Sequence, residues 1–295
     1  MKNNEWRIIN HKNTPIAFYL LPQINLFANL IQYFDISIFL LTYFSIPLIR
    51  YSIFMIQDSH LQFDTRGLEK FSLVEWPGKM AAIIFTGGCN FRCPFCHNPE
   101  LVNGLDKTPF YPWGEIEKFL DRKKDWIDAI MITGGEPTIH QDLPLILKKI
   151  KERGYLAGLA TNGSNPEMLE KIIKDNIVDR ICLDIKSCPQ KYHLATGQKE
   201  FDFTPVKKSV DSVIKSSIPH ELRLTLVPGI TAQEDILSIG EFIKGAKKIV
   251  LQQFRPQRTL DKSYQSKVPY CKDEILAMGK ELEKYVKEVN LDFIE

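Results

Sequence analysis

The chain has 295 residues, of which 44% are hydrophobic and 25% are charged, the composition of an ordinary globular protein. Its 38 basic and 36 acidic residues nearly cancel, so no broad basic field is available to bind nucleic acid or an anionic membrane surface. With only six cysteines, the chain is not a disulfide-dense secreted scaffold. We therefore expect reduced thiols and a cytoplasmic location.

Residues 1–57 differ in composition from the rest of the chain. Within residues 16–56 the only charged side chains are Asp35 and Arg50, but prolines and polar residues interrupt both apolar windows. Neither window is a clean membrane span of about 20 apolar residues. Three interpretations stay open: a membrane anchor through residues 16–56, a buried or partner-binding segment, or upstream sequence translated ahead of a working start at Met55.

From residue 58 to residue 295, short apolar runs alternate with amphipathic stretches. The runs predict strands at Ala81–Phe85, Ala129–Thr133, Leu156–Thr161, Arg180–Ile185, Glu221–Val227 and Lys248–Phe254. The stretches between and after them predict helices around Glu115–Leu120 and at Leu143–Glu152, Pro166–Lys174 (with Asn165 as its cap), Val206–Ser216, Asp235–Lys244 and Asp273–Glu288. This alternation predicts an α/β fold, a partial (β/α)6 parallel barrel with its helices outside, whose chemistry lies at the carboxyl ends of the strands.

Three cysteines, Cys89, Cys93 and Cys96, directly follow the first of these strands, and His97 comes next. Thiolates are ligands for zinc or for iron–sulfur clusters. A structural zinc would need His97 as its fourth ligand, although zinc ligands usually come as two spaced pairs. On a four-iron cluster, three thiolates leave one iron open to a substrate or cofactor. A zinc-stabilised binding module without catalysis remains the alternative.

Charged residues also interrupt two of the apolar strands. Asp184 and Lys186 share one face of their strand because side chains alternate with a period of two. Arg223 lies between leucines on the next strand. Charges on such strands are costly to bury unless they are paired or liganded, so each position is either an internal ion pair or a ligand contact.

The spacing C-x3-C-x2-C after a first strand, together with the Gly-Gly-Glu sequence that follows the second, resembles the radical S-adenosylmethionine (radical SAM) superfamily. The tract Gly67–Val102, with EWPG and CHNP, and the later DIKS, RLTLVPG and LQQFRPQRTLD resemble its glycyl-radical-enzyme activating proteins over about residues 62–270. Within that group, the anaerobic ribonucleoside-triphosphate reductase activating proteins are the nearest match, and pyruvate formate-lyase activating enzyme is a more distant relative.

The resemblance implies an oxidoreductase in which Cys89, Cys93 and Cys96 hold a [4Fe-4S] cluster. Its reduced form cleaves S-adenosylmethionine, and the resulting 5′-deoxyadenosyl radical takes a Cα hydrogen from a glycine of a partner enzyme. The implied partner is anaerobic ribonucleotide reductase, and the implied electron donor is a flavodoxin or a ferredoxin. A small molecule or a different peptide as substrate is the alternative.

The resemblance also implies which residues contact S-adenosylmethionine. These are Phe95, His97, Gly134, Gly135, Glu136, Asn162, Asp184, Lys186, Arg223 and Arg255. Phe95 would lie near the adenine, and the Gly-Gly-Glu sequence near the methionine amino group. The chain has Ala160 and the pair Phe254-Arg255 where pyruvate formate-lyase activating enzyme has Asp and His, so a cation site is not carried over to Ala160.

Overall fold

The computed structural model describes Leu61 and residues 63–292 of the chain. The apolar segment of residues 1–57 lies outside the described residues, so its three interpretations stay predictions. No helix within the described ranges is both long enough and apolar enough to pass through a bilayer.

One sheet of eight strands, arranged in chain order, forms the centre of the fold. The strands are β1 (Thr65–Ser72), β2 (Ala81–Thr86), β3 (Ala129–Gly134), β4 (Leu156–Thr161), β5 (Arg180–Ile185), β6 (His220–Leu226), β7 (Ile249–Gln253) and β8 (Val289–Asp292). β1 runs antiparallel to β2, whereas every pair from β2 to β8 is parallel. Within the described ranges β1 and β8 do not pair with each other, so the sheet is open. The predicted partial parallel barrel is confirmed, with two more strands than expected.

Helices connect the parallel strands. They are α1 (Pro99–Asn103), α2 (Trp113–Lys123), α3 (Leu143–Glu152), α4 (Pro166–Lys174), α5 (Tyr192–Thr196), α6 (Thr204–Lys215), α7 (Ile236–Phe242) and α8 (Lys272–Leu282). The two short helices α1 and α5 were not predicted. The last helix ends at Leu282 rather than at Glu288, because the chain turns there into β8, which pairs with β7.

Alternate residues of β2, β3, β4 and β5 enter two different clusters of buried side chains. Ile84, Ile132 and Leu159 pack with the helices in the larger cluster. Residues of the opposite face of these strands, together with Trp76 from the turn between β1 and β2, form a smaller cluster made of Trp76, Ala81, Ile83, Ala129, Met131, Ala160 and Cys182. A side chain at Gly158 on β4 would press against Trp76, so the indole ring packs directly on β4. Both faces of the central strands are therefore covered, which explains their continuous apolar sequences.

The predicted cap of α4 gives a test of the local structure. Asn165 Oδ1 accepts a hydrogen bond from the backbone N–H of Met168 at 3.2 Å. We expect Asn165→Ala to lower the free energy of unfolding by about 1–2 kcal/mol, because it removes the N-cap and also the hydrogen bond from Asn165 Nδ2 to Thr138 O at 2.8 Å. Chemical denaturation measures the change. Lys171→Ala, at an exposed position of the same helix, is the control and should shift the value by less than about 0.5 kcal/mol. Equal effects of both substitutions would contradict the cap.

Candidate active site

The loops that carry the predicted site residues follow the strands at the C-terminal edge of the sheet. Because β2 to β7 are parallel, this edge collects one loop from each strand. Residues 87–98, after β2, are named the cysteine loop. Residues 134–140 after β3 are the Gly-Gly-Glu loop, and residues 161–164 at the end of β4 are the Thr-Asn-Gly loop.

The cysteine loop has no regular secondary structure, and backbone hydrogen bonds to five other segments fix its path. The bonds run from Gly87 N–H to Asp64 O (2.8 Å), Gly88 N–H to Leu101 O (2.8 Å), Glu136 N–H to Gly88 O (2.8 Å), Arg92 N–H to Thr196 O (2.8 Å) and Asp261 N–H to Pro94 O (2.9 Å). The loop therefore depends on the residue ahead of β1, on the Gly-Gly-Glu loop, on α1, on α5 and on the segment after β7. Residues far apart in sequence hold the three thiols in place.

All three cysteines of the loop are free thiols; Cys93 is buried, and Cys89 and Cys96 are half-buried. Burial raises the pKa of the Cys89 thiol to about 11 and that of Cys93 to about 12, and it also raises the pKa of Cys96. The ammonium group of Lys186 acts in the opposite direction on all three thiols. Metal-free thiols are thus protonated at neutral pH, and a metal must displace their protons.

His97, the candidate fourth zinc ligand, contacts the loop after β7. Its Nε2 lies 3.1 Å from the carbonyl oxygen of Arg255, and its ring stacks on Phe254 with the ring centroids 6.3 Å apart. Burial lowers the pKa of His97, so a neutral ring that donates from Nε2 fits this contact. Arg255 contacts His97 through its own backbone carbonyl and not through its side chain. In the part of the chain that the structure describes, no three His, Cys, Asp or Glu side chains surround a position for a single metal ion.

The two glycines of the Gly-Gly-Glu loop let it rest directly on the cysteine loop. Gly134 has a φ of +119°, a conformation that side chains of L-residues rarely adopt. A Cβ atom at Gly135 would overlap the carbonyl oxygen of Gly88. Gly135 N–H also donates to Thr86 O at 2.8 Å, which ties the Gly-Gly-Glu loop to the last residue of β2. Any larger residue at Gly135 would separate the two loops.

Glu136 is almost fully buried, and both of its carboxylate oxygens bind the protein. The carboxylate accepts hydrogen bonds from Thr138 N (3.1 Å), Thr138 Oγ1 (2.6 Å), Thr161 Oγ1 (2.6 Å) and Asn162 N (2.7 Å). Burial raises the pKa of Glu136, and these four bonds oppose the rise. The side chain thus joins the Gly-Gly-Glu loop to the Thr-Asn-Gly loop. Its contact with a methionine amino group stays a prediction.

The charged pair on β5 and the turn after it faces the thiols. Lys186 Nζ lies 2.9 Å from Asp184 Oδ2, and 18% of the Lys186 side chain is exposed, against 36% for Asp184. Burial alone would lower the pKa of Lys186, but Asp184, with smaller contributions from Cys93 and Tyr192, more than offsets this and the pKa is raised. Lys186 therefore keeps its charge beside the cysteine loop. The internal ion pair is present, and the more exposed Asp184 is the partner that a ligand can reach.

Arg223 forms ion pairs with two carboxylates. The sequence predicted instead that it contacts the cofactor or a substrate segment. Its Nε lies 2.8 Å from Glu221 Oε1, and its Nη1 lies 2.8 Å from Glu75 Oε1. Glu221 also binds Arg180 Nη2 at 2.6 Å. Glu75 belongs to the turn between β1 and β2, which the sequence did not connect with β6. The ligand role of Arg223 stays a prediction, and in the structure its guanidinium serves an ion-pair network.

Three of the remaining contacts at this edge were not predicted. His140 Nε2 lies 2.9 Å from Gly87 O, just ahead of the first cysteine. Gln198 Nε2 donates to Asn90 O at 3.2 Å. An ion pair joins Arg258 to Glu100. Only His140 had a sequence signal, as the polar residue that ends the Gly-Gly-Glu loop. Phe95 lies buried in the larger core cluster, and its predicted contact with the adenine stays a prediction.

Comparison with known proteins identifies the family. The model of the radical SAM superfamily matches residues 83–243. A Methanocaldococcus jannaschii protein, provisionally named a glycyl-radical enzyme activating enzyme, is 33% identical over 76% of this chain and 93% of its own length. The pyruvate formate-lyase-activating enzyme of Clostridium pasteurianum is 31% identical over 75% of this chain and 96% of its own. The chain therefore belongs to the radical SAM superfamily, in the group of glycyl-radical-enzyme activating proteins.

A solved structure shows the same fold. TYW1 with a lysine-pyruvate adduct bound has a TM-score of 0.55 and 18% sequence identity, over 82% of this chain and 90% of that chain. This superfamily uses a [4Fe-4S] cluster and S-adenosylmethionine. The donor set fits such a cluster, because three free thiols lie on one short loop next to a retained positive charge, and thiolates are the usual cluster ligands.

The contact between the Gly-Gly-Glu loop and the cysteine loop gives a second test. We expect Gly135→Ala to destabilise the metal-free protein by about 3 kcal/mol, since overpacking against a backbone atom forces the loops apart. The same substitution should lower the iron and sulfide bound after anaerobic reconstitution. Denaturant unfolding and metal analysis measure both effects. Gly114→Ala is the control, because a Cβ at that helical position meets nothing within 4 Å. Normal iron loading of Gly135→Ala would contradict the contact.

Proposed function

We propose that Cys89, Cys93 and Cys96 hold a [4Fe-4S] cluster whose fourth iron binds S-adenosylmethionine, and that the protein generates a glycyl radical on a partner enzyme. The observation that carries the proposal is the placement of three free thiols on one loop that is pinned to the C-terminal edge of the sheet. The relatives named as activating enzymes support the choice of a protein substrate.

The residues of this chain have separate tasks in the proposed reaction. When bound, the cluster supplies one electron that cleaves S-adenosylmethionine to methionine and a 5′-deoxyadenosyl radical, which takes the glycine Cα hydrogen. The three thiolates hold the cluster. Asp184, the more exposed partner of the Asp184–Lys186 pair, offers a carboxylate to the bound ligand, and Lys186 adds a positive charge beside the thiolates. The glycines of the Gly-Gly-Glu loop let this loop lie directly against the cysteine loop and hold the thiolates in place.

The partner we propose is an anaerobic ribonucleoside-triphosphate reductase. The support is the likeness of the tract Gly67–Val102 and of the RLTLVPG and LQQFRPQRTLD sequences to the activating proteins of that enzyme. A flavodoxin or ferredoxin as electron donor and a cytoplasmic location belong to the same proposal.

The proposed activity has a direct test. Anaerobic incubation with S-adenosylmethionine, a reductant and a candidate reductase should produce the glycyl-radical doublet in electron paramagnetic resonance (EPR). Cys93→Ala should abolish the cluster, the cofactor cleavage and the doublet, because it removes the most buried of the three ligands. Cys271→Ala, which removes an exposed thiol outside the cysteine loop, should retain all three.

Two outcomes would redirect the proposal. Cleavage of S-adenosylmethionine without a doublet from any candidate reductase would favour a small molecule or a different peptide as substrate. Purified protein that contains zinc and no sulfide would favour the alternative of a zinc-stabilised binding module without catalysis. Cleavage that survives Cys93→Ala would overturn the assignment of the ligands.

A further inference from the structure

The orientation of the Asn162 side chain is fixed by its hydrogen bonds. Asn162 is 5% exposed, and its backbone N–H donates to Glu136 Oε2. Its side-chain Oδ1 accepts a hydrogen bond from the backbone N–H of Ser164 at 2.9 Å. An amide whose oxygen faces an N–H donor must turn its nitrogen the other way. The NH2 group of Asn162 consequently points at the cysteine loop.

Two acceptors of the cysteine loop lie within reach of that NH2 group. Asn162 Nδ2 lies 3.0 Å from Asn90 Oδ1 and 3.9 Å from Cys89 Sγ. An amide nitrogen carries two hydrogens, so one hydrogen serves Asn90 while the other faces the sulfur. Asn90 Nδ2 in turn donates to Ser164 Oγ at 2.8 Å, in an exposed contact.

From this geometry we propose that Asn162 is a positioning residue that donates a hydrogen bond to the Cys89 thiolate and raises the reduction potential of the cluster. The inference rests on the proposed function, because it takes Cys89 as a cluster ligand. A reduced cluster carries one more negative charge than an oxidised one. A hydrogen bond to a ligand sulfur therefore stabilises the reduced form more, and such bonds are among the factors that set cluster potentials.

The NH2 group can be removed while the other contacts of the residue stay. Asn162→Asp keeps the shape, the backbone N–H and the oxygen that faces Ser164, but it replaces the NH2 donor with a carboxylate oxygen and adds a negative charge, so the uncharged Asn162→Ala is the variant that tests the donor alone. Asn162→Ala removes the whole amide. Ser164→Ala is the control, because it loses the hydroxyl that binds Asn90 but keeps the backbone N–H that orients Asn162.

Redox titration followed by EPR, on the full chain reconstituted anaerobically without S-adenosylmethionine, measures the midpoint potential of each variant. We expect both Asn162 variants to have lower midpoints than the wild type. At the wild-type midpoint their ratio of reduced to oxidised cluster should fall by up to about tenfold, which corresponds to about 59 mV for a one-electron couple. Ser164→Ala should keep the wild-type midpoint.

A second measurement needs no substitution. Pulsed EPR on wild-type protein labelled with 15N in its asparagine side chains should detect a nitrogen coupled to the reduced cluster. An unchanged midpoint in Asn162 variants that carry a full cluster, or no such coupling in the wild type, would overturn the inference alone. A wild-type protein without iron, sulfide or a reducible signal would instead overturn the proposed function.

Discussion

The buried carboxylate of Glu136 is the interaction on which the arrangement of the site depends. A carboxylate without partners is very costly to bury, and hydrogen bonds to a charged group are worth about 1.5–3 kcal/mol each. Here four donors surround it, from Thr138, Thr161 and Asn162. Because these donors belong to two successive loops, the carboxylate fixes how the ends of β3 and β4 lie relative to each other.

The position of the cysteine loop follows from that constraint. The loop after β3 contacts the Gly88 backbone through Gly135 and Glu136, and the loop after β4 turns the Asn162 amide toward Cys89. Neither contact involves a regular element. In contrast, the charge beside the thiols comes from the turn directly after β5, where Lys186 remains protonated through its pairing with Asp184 on β5. Contacts between loops thus place the three cysteines, and the Asp184–Lys186 ion pair provides the positive charge beside them.

The sequence predicted the central strands well because β2, β3 and β4 are buried on both faces and are therefore nearly continuous apolar runs, and because β5 and β6 keep apolar residues at alternate positions. It did not predict β1 and β8, which lie at the edges of the sheet and have largely polar, partly exposed residues. The types of site residue could likewise be predicted, but their partners could not. Arg223 pairs with Glu75, and His97 with the Arg255 carbonyl, through contacts between segments distant in sequence. Local patterns carry no signal for such pairs.

The central claim is that three thiolates of one loop leave one iron of a cluster open for S-adenosylmethionine. Mössbauer spectroscopy of the 57Fe-reconstituted protein, recorded with and without S-adenosylmethionine, tests this most directly. The account predicts a cluster of about four irons, of which one changes its signal when S-adenosylmethionine is added while the other three do not. A cluster whose irons all remain unchanged, or a protein that binds zinc and no sulfide, would contradict it.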